Sequence, residues 1–250
     1  MKKIILFVLL ASFLFISGCN GGNGQKKSNV IHFATAAEYP PFEYEEHGVI
    51  KGFDIELAKL IAKELGKEAV FDNMQFSSIL PALTSGQADA AISTITITYD
   101  RQKNFDFTSP YYFEGMAAVF KKDSPIHDPS QLAGKKIAAQ LGSTMEIWLK
   151  KHAQEEQIVP MDNNNQAIEA LKAGHVDVVL LDGAQGAIFS QKNPTLSYAI
   201  IAKAEDGYGI ALPKHSLLTA RINRILNTLK ENGEIAKLQK TWLESIQWKS

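Results

Sequence analysis

Two stretches of the chain repeat one another. ALTSGQADAAIST (Ala82–Thr94) and ALKAGHVDVVLLD (Ala170–Asp182) carry alanine, leucine, glycine and aspartate at the same spacing. Each reads as a helix that stops at glycine, a short turn, and an aspartate leading into a buried strand. The strands finish on polar groups, Ser93 and Thr94 in one copy and Asp182 in the other. Open α/β sheets bind ligands at the carboxyl ends of their strands. A chain with two such units is expected to form two lobes whose polar ends face one cleft.

The rest of the pattern agrees with an α/β class. VIHFATA (Val30–Ala36) and AVFDNM (Ala69–Met74) read as strands, GFDIELAKLIAKELG (Gly52–Gly66) as an amphipathic helix, and FSSILPALTSG as a short helix ending at Gly86. Strands alternating with helices predict mostly parallel sheets flanked by helices. MAAVFKKDSP (Met116–Pro125), an apolar run breaking into a charged turn, is the expected crossing between lobes, and KAEDGYGIALPKHS (Lys203–Ser216) the expected return. Lobe one would then take residues 30–116 and 208–250 and lobe two residues 117–207, with two strands as a hinge.

Before residue 30 the chain reads differently. Lys2 and Lys3 precede an apolar run, Ile4–Ile16, too short for a comfortable membrane span and suited to the core of a signal peptide over residues 1–18. ISGC (Ile16–Cys19) resembles the lipobox of bacterial lipoproteins, in which the signal is cut before a cysteine that carries the lipids. Residues 19–29, rich in glycine and asparagine, follow as a flexible tether. These features predict an exported protein held to a bacterial membrane through Cys19 without spanning it. Cys19 is the sole cysteine, so no internal disulfide can form and the core alone must hold the fold. Loss of Lys2 and Lys3 with the leader moves the formal net charge from −1 to −3, which gives no reason to expect a nucleic-acid partner. The six histidines lack metal-ligand spacing of the HExxH kind, and no cofactor or metal is expected.

Candidate binding residues fall in five places. In STITITYDRQKNFDF (Ser93–Phe107), an extended strand would set Thr94, Thr96 and Thr98 on one face and Ile95 and Ile97 on the other. Arg101 follows, with a fork of donors suited to a carboxylate. QLGSTMEIWLKKH (Gln140–His152) offers a capping box from Ser143 to Glu146, which also leaves N–H groups and the Thr144 hydroxyl at a helix N-terminus. Asp182 either accepts from an ammonium group or caps the next helix. Arg101 for a carboxylate and Asp182 for an ammonium together specify a zwitterion, as in an α-amino acid. Tyr39, in the proline-bearing loop EYPPFEY, and Phe76, opening a helix, either sandwich a ligand side chain or belong to the core.

These residues resemble the polar amino-acid solute-binding proteins of bacterial ABC importers, of the periplasmic-binding-protein type II. The resemblance covers residues 30–245 and is carried by EYPPFEY, GFDIELAKLIAKELG, DAAISTITITYDRQKNFDFTSPYY, GKKIAAQLGST and YGIALPK in that order. It implies a monomer with two α/β lobes, joined by two strands, closing over a free L-amino acid for permease subunits to take up. Arg101, Thr96 and Thr144 would hold the α-carboxylate. Thr94, a backbone group near Ser93 and Asp182 would hold the α-ammonium. Tyr39 and Phe76 would flank the side chain, and Gln140 would stand at a wall position that varies with specificity. Lysine- and histidine-type members often carry an acid just after the first strand, where this chain has Ala36. Glu38 stands two residues on, able either to pair with a cationic tail or to stay solvated, with Asp100 and Glu114 more remote. The expected ligand is arginine or another cationic amino acid, with glutamine or another polar neutral amino acid as the alternative. A dehydratase acting on prephenate or arogenate, with Glu38 or Glu114 as its acid, is the enzymatic alternative on the same fold.

Overall fold

The computed structural model describes residues 29–154 and 157–244. The expected signal peptide and the lipidation site at Cys19 lie outside these residues, as does nearly all of the tether.

Two five-stranded sheets share one plan. The first holds β1 (Val30–Thr35), β5 (Glu68–Asn73), β6 (Ala90–Ala91), β7 (Phe105–Phe107) and β13 (Ala211–Pro213), in the order β5-β1-β6-β13-β7. The second holds β8 (Met116–Lys121), β9 (Ile137–Gln140), β10 (Ile158–Met161), β11 (Val178–Asp182) and β12 (Leu196–Ala202), in the order β10-β9-β11-β8-β12. Three parallel strands lead each sheet, and the fourth runs antiparallel to both of its neighbours. A small antiparallel sheet, β2 (Glu38–Tyr39), β3 (Glu43–Glu46) and β4 (Val49–Lys51), follows β1. The two-lobed α/β fold expected from the repeat is what forms.

The repeat is alike down to its hydrogen bonds. α2 (Phe76–Ser85) ends at Gly86 and α5 (Asn164–Ala173) at Gly174, both glycines left-handed, at φ 74° and 79°. Gln87 N–H returns to Ala82 O (3.0 Å) and His175 N–H to Ala170 O (2.9 Å), closing each helix in a Schellman turn. Asp89 then accepts the N–H of His32 within β1 (2.9 Å), and Asp177 that of Lys136 just before β9 (2.8 Å). The repeated aspartate therefore pins each turn to its neighbouring strand.

Two segments depart from the expectations. Met116–Lys121 is not a crossing: it is β8, paired on both sides within the second sheet. Its small and apolar residues suit a central buried strand, so the passage between sheets falls before Met116. Nor do Thr94, Thr96 and Thr98 form a strand face. β6 stops at Ala91, Thr94 turns left-handed (φ 46°), and the Thr98 hydroxyl accepts Arg101 N–H as the N-cap of α3 (Tyr99–Asn104). Asp54 causes the turn, because its buried Oδ2 takes the Thr94 N–H (2.9 Å) away from the sheet.

The two passages between sheets lie side by side, with Tyr111 N–H bonded to Tyr208 O and Tyr208 N–H to Tyr112 O, each at 2.8 Å. Phe42 packs among Phe53, Tyr112 and Tyr208 next to them, with ring centroids 5.3–6.1 Å apart. α7 (Thr219–Glu231) and α8 (Glu234–Gln239) return to the first lobe, burying Ile222, Leu226, Leu229 and Ile235 in its core.

α1 (Phe53–Glu64) begins without a side-chain cap. Its first N–H groups go instead to the carbonyls of Pro41 and Phe42, at 3.0 and 2.9 Å. Gly52 allows this approach at φ 131° and ψ 179°, and a Cβ there would lie 2.2 Å from Phe42 O. That backbone region is open essentially to glycine alone, at a cost of about 1–3 kcal/mol to other residues. Gly52→Ala should lower stability by at least that amount in denaturant unfolding. An unchanged midpoint would show that the loop yields without cost.

Candidate functional site

The polar ends of the two repeats meet across a narrow cleft. Tyr39, Phe76, Thr94, Thr96 and Arg101 line it from the first lobe. From the second come Gln140, Ser143, Thr144, Met145, Asn164 and the end of β11, Leu180–Asp182.

Arg101 dominates this space. It is 8% exposed, its Nη1 donates to Thr96 O (2.7 Å), and its Nη2 reaches across to Gly142 O (3.0 Å). The Phe76 ring lies 6.0 Å from the guanidinium carbon. Burial pulls its pKa down to about 10, so the group stays charged at neutrality. No carboxylate pairs with it among the described residues. A guanidinium has five N–H donors, and two carbonyls do not satisfy them.

Across the cavity, α4 (Thr144–His152) opens with Ser143 as N-cap, accepting Glu146 N–H at 3.2 Å. The Glu146 carboxylate reaches back to Gly142 N–H (2.7 Å) rather than to the cap residue itself. The expected capping box thus spans one residue more, and it holds the Gly142 carbonyl where Arg101 meets it. Thr144, at the first helical position, lends its hydroxyl to the Met145 sulfur, 3.4 Å away.

Asp182 does not cap the helix that follows, α6 (Gly183–Lys192). It accepts instead from the Tyr39 hydroxyl at 2.5 Å, tying the lobes together. Burial pushes its carboxyl up to about 6 against the hydroxyls of Tyr39 and Tyr208, which favour the ionised form. Glu114, outside the cavity lining, is pushed to about 7 by burial and by the charge of Asp182. Tyr39 presents its ring to the cavity, but its hydroxyl is committed to that carboxylate.

Two of the residues named from sequence stand behind the wall. The Ser93 hydroxyl is fully buried, donating to Glu43 Oε1 (2.8 Å) and accepting Ala36 N–H (3.1 Å). Glu38 accepts from Gln140 Nε2 (2.7 Å) across the lobes, and burial lifts its carboxyl to about 7 despite that bond. Asp100, the remoter acid, is exposed and paired with Lys103.

Sequence reasoning missed Asn164 and the pair Glu43–Asp54. Carried backward in register, the repeat sets Phe76 on Asn164, each the first residue of its helix. That signal was present. Glu43 and Asp54 carry none, since they meet only through the fold. Glu43 Oε2 and Asp54 Oδ1 are buried with no other partner, and one proton between the two carboxyls serves both. Burial and the Asp54 charge raise Glu43 well above the carboxylate range, while Asp54, at about 6, holds the Thr94 N–H and the Tyr111 hydroxyl.

Residues 31–245 match the model of a protein family described as bacterial extracellular solute-binding proteins, family 3. The arginine-binding extracellular protein ArtP of Bacillus subtilis (strain 168) is 36% identical over 251 residues, covering 97% of this chain and 98% of that one. An ancestral arginine-binding protein, solved bound to arginine, is 38% identical with a TM-score of 0.82, over 86% of this chain and 98% of its own. The same values hold for that ancestral protein bound to glutamine.

The buried acids set a pH dependence. Asp182 titrates at about 6 in the folded chain against an ordinary 3.8, so between these values the native state binds more protons than the unfolded one. Its contribution is therefore most favourable below 3.8 and is lost as pH rises through 6, by about 3 kcal/mol for a shift near two units. Asp182→Asn should flatten the fall in stability between pH 4 and 7 and raise the unliganded melting temperature at pH 7. Melting curves that keep the wild-type slope would mean that Asp182 is not the group responsible.

Proposed function

The chain belongs to the bacterial extracellular solute-binding proteins, family 3, and on that premise we propose that it captures a free L-amino acid between its lobes for an ABC importer. One observation carries this reading. Among the described residues, a buried guanidinium lacking a carboxylate and a buried carboxylate lacking a cation line a single cavity. An α-amino acid supplies both missing charges. Arg101 would grip the α-carboxylate with the Thr96 and Thr144 hydroxyls, while Asp182 and Thr94 take the α-ammonium. The Phe76 and Tyr39 rings would bound the side chain. Bonds from Tyr39 to Asp182 and from Arg101 to Gly142 already join the lobes, so a ligand touching both favours the closed form.

The favoured ligand is arginine or a related cationic amino acid, because Glu38 stands behind Gln140 at the cavity wall and because the Bacillus relative is named for arginine. Glutamine is the second reading, favoured by the neutral amides of Gln140 and Asn164 and by the ancestral protein's glutamine complex. Permease subunits are the expected receivers. The chain would act as a monomer held to a membrane through a lipid on Cys19.

Arg101→Ala should weaken every amino-acid ligand, since all share the head group. A charge-assisted bond of about 1.5–3 kcal/mol corresponds to roughly 10- to 150-fold in affinity. Calorimetric titration of ligand-stripped protein with arginine and glutamine checks this. Affinities equal to wild type would sink the head-group assignment.

A further inference from the structure

The residue assigned to the ligand's ammonium group is itself gripped from the opposite lobe. The Tyr39 hydroxyl donates to Asp182 Oδ2 (2.5 Å) and accepts the backbone N–H of the same residue (3.3 Å). One oxygen atom thus holds both the side chain and the main chain of Asp182, which fixes how the carboxylate turns. Tyr39 lies on β2 of the first lobe, Asp182 ends β11 of the second, and both are buried. Beside them Gln185 Nε2 donates to the Pro40 carbonyl, again from the second lobe to the first. The loop is therefore seated on α6 by a bond that does not involve Asp182. Burial, followed by the charge of Asp182, raises the Tyr39 phenol well above its ordinary 10, so the hydroxyl keeps its proton and stays a donor. A donor to a buried carboxylate favours the charged form. That form accepts about four hydrogen bonds, so the bond from Tyr39 leaves it open to an ammonium group.

We propose that the Tyr39 hydroxyl, on the amino-acid reading above, is the positioning group that readies Asp182 for the ligand's ammonium, and that it does so only while the lobes are together. The hydroxyl and its target belong to different lobes, so opening breaks both of its bonds at once. The carboxylate then turns freely in water, and the ammonium group loses an oriented partner. Closure and the strength of the ammonium contact become one event. An encounter with open lobes makes no use of the hydroxyl, whereas departure from closed lobes must break its hold on Asp182. Tyr39 therefore governs how long a captured amino acid stays rather than how fast it arrives. Its ring serves separately, as a wall beside the ligand's side chain.

The test uses Tyr39→Phe, which keeps the ring and deletes the hydroxyl. Ligand-stripped protein is mixed rapidly with L-arginine and with L-glutamine at pH 8, above the value of about 6 to which burial brings Asp182. For the amino acid that the wild type binds more tightly, Tyr39→Phe should raise the dissociation rate about tenfold, as the loss of a charge-assisted bond implies, and leave the association rate within about threefold. Unchanged dissociation, with or without slower association, would overturn the proposal. The same substitution is then made in Asp182→Asn, where no charge remains to be held. There it should speed dissociation by no more than about threefold, because both changes act on one contact. Equal effects in the two backgrounds would mean that the hydroxyl only fastens the lobes, and would overturn the proposal as well. Where Asp182→Asn binds too weakly to follow, the rates of the single variant decide. If the wild type binds neither amino acid, or if Asp182→Asn binds as the wild type does, the amino-acid reading itself has failed.

Discussion

A buried arginine with no carboxylate beside it among the described residues is the constraint around which the molecule is arranged. Taking a cation out of water costs several kcal/mol even after the protein relaxes around it. Arg101 offsets part of that cost with carbonyls from both lobes, Thr96 O and Gly142 O, and with the Phe76 ring. Each support has its own scaffold. The Thr98 cap starts the short helix that carries Arg101, and Glu146 holds the Gly142 turn. The guanidinium is thus fixed in direction while most of its donors stay unused.

Acids on the other side of the site are held in the same unfinished state. Asp182 and Glu114 are raised by burial, and hydroxyls and backbone N–H groups only partly compensate. Glu43 and Asp54 settle the matter differently, by sharing a proton, and so keep a polar strut at the point where Thr94 turns towards the cavity. Positive and negative groups are preorganised but not paired with each other. Preorganisation of this kind lets a ligand carrying both charges bind without further cost of arranging the site.

The sequence carried the architecture clearly, because the repeat at Ala82 and Ala170 encodes a whole mechanical unit. Glycine stops the helix, and aspartate pins the turn to the next strand. Arg101, Thr144 and Asp182 were legible for a related reason: each sits at the end of an element whose pattern is strong. Thr94–Thr98 was misread as a strand because alternation of threonine and isoleucine satisfies a period of two. The competing partner, Asp54, lies forty residues earlier and reaches Thr94 only in the fold. Asn164 stood in register with Phe76, yet asparagine after a strand reads as a helix start, and its second use as a wall of the cavity leaves no local mark.

The place of β13 bears on how the chain reaches this state. The second sheet is built from one continuous stretch, Met116 to Ala202, whereas the first is completed by Ala211–Pro213 inserted between β6 and β7. Loop-closure entropy favours contacts of short sequence separation. The second lobe can therefore condense while the first still lacks a central strand, and β6 and β7 keep open edges until the last fifth of the chain is available. The connectivity thus sets what each lobe needs: the inserted lobe can close without the last fifth of the chain, and the lobe bearing both ends of the fold cannot.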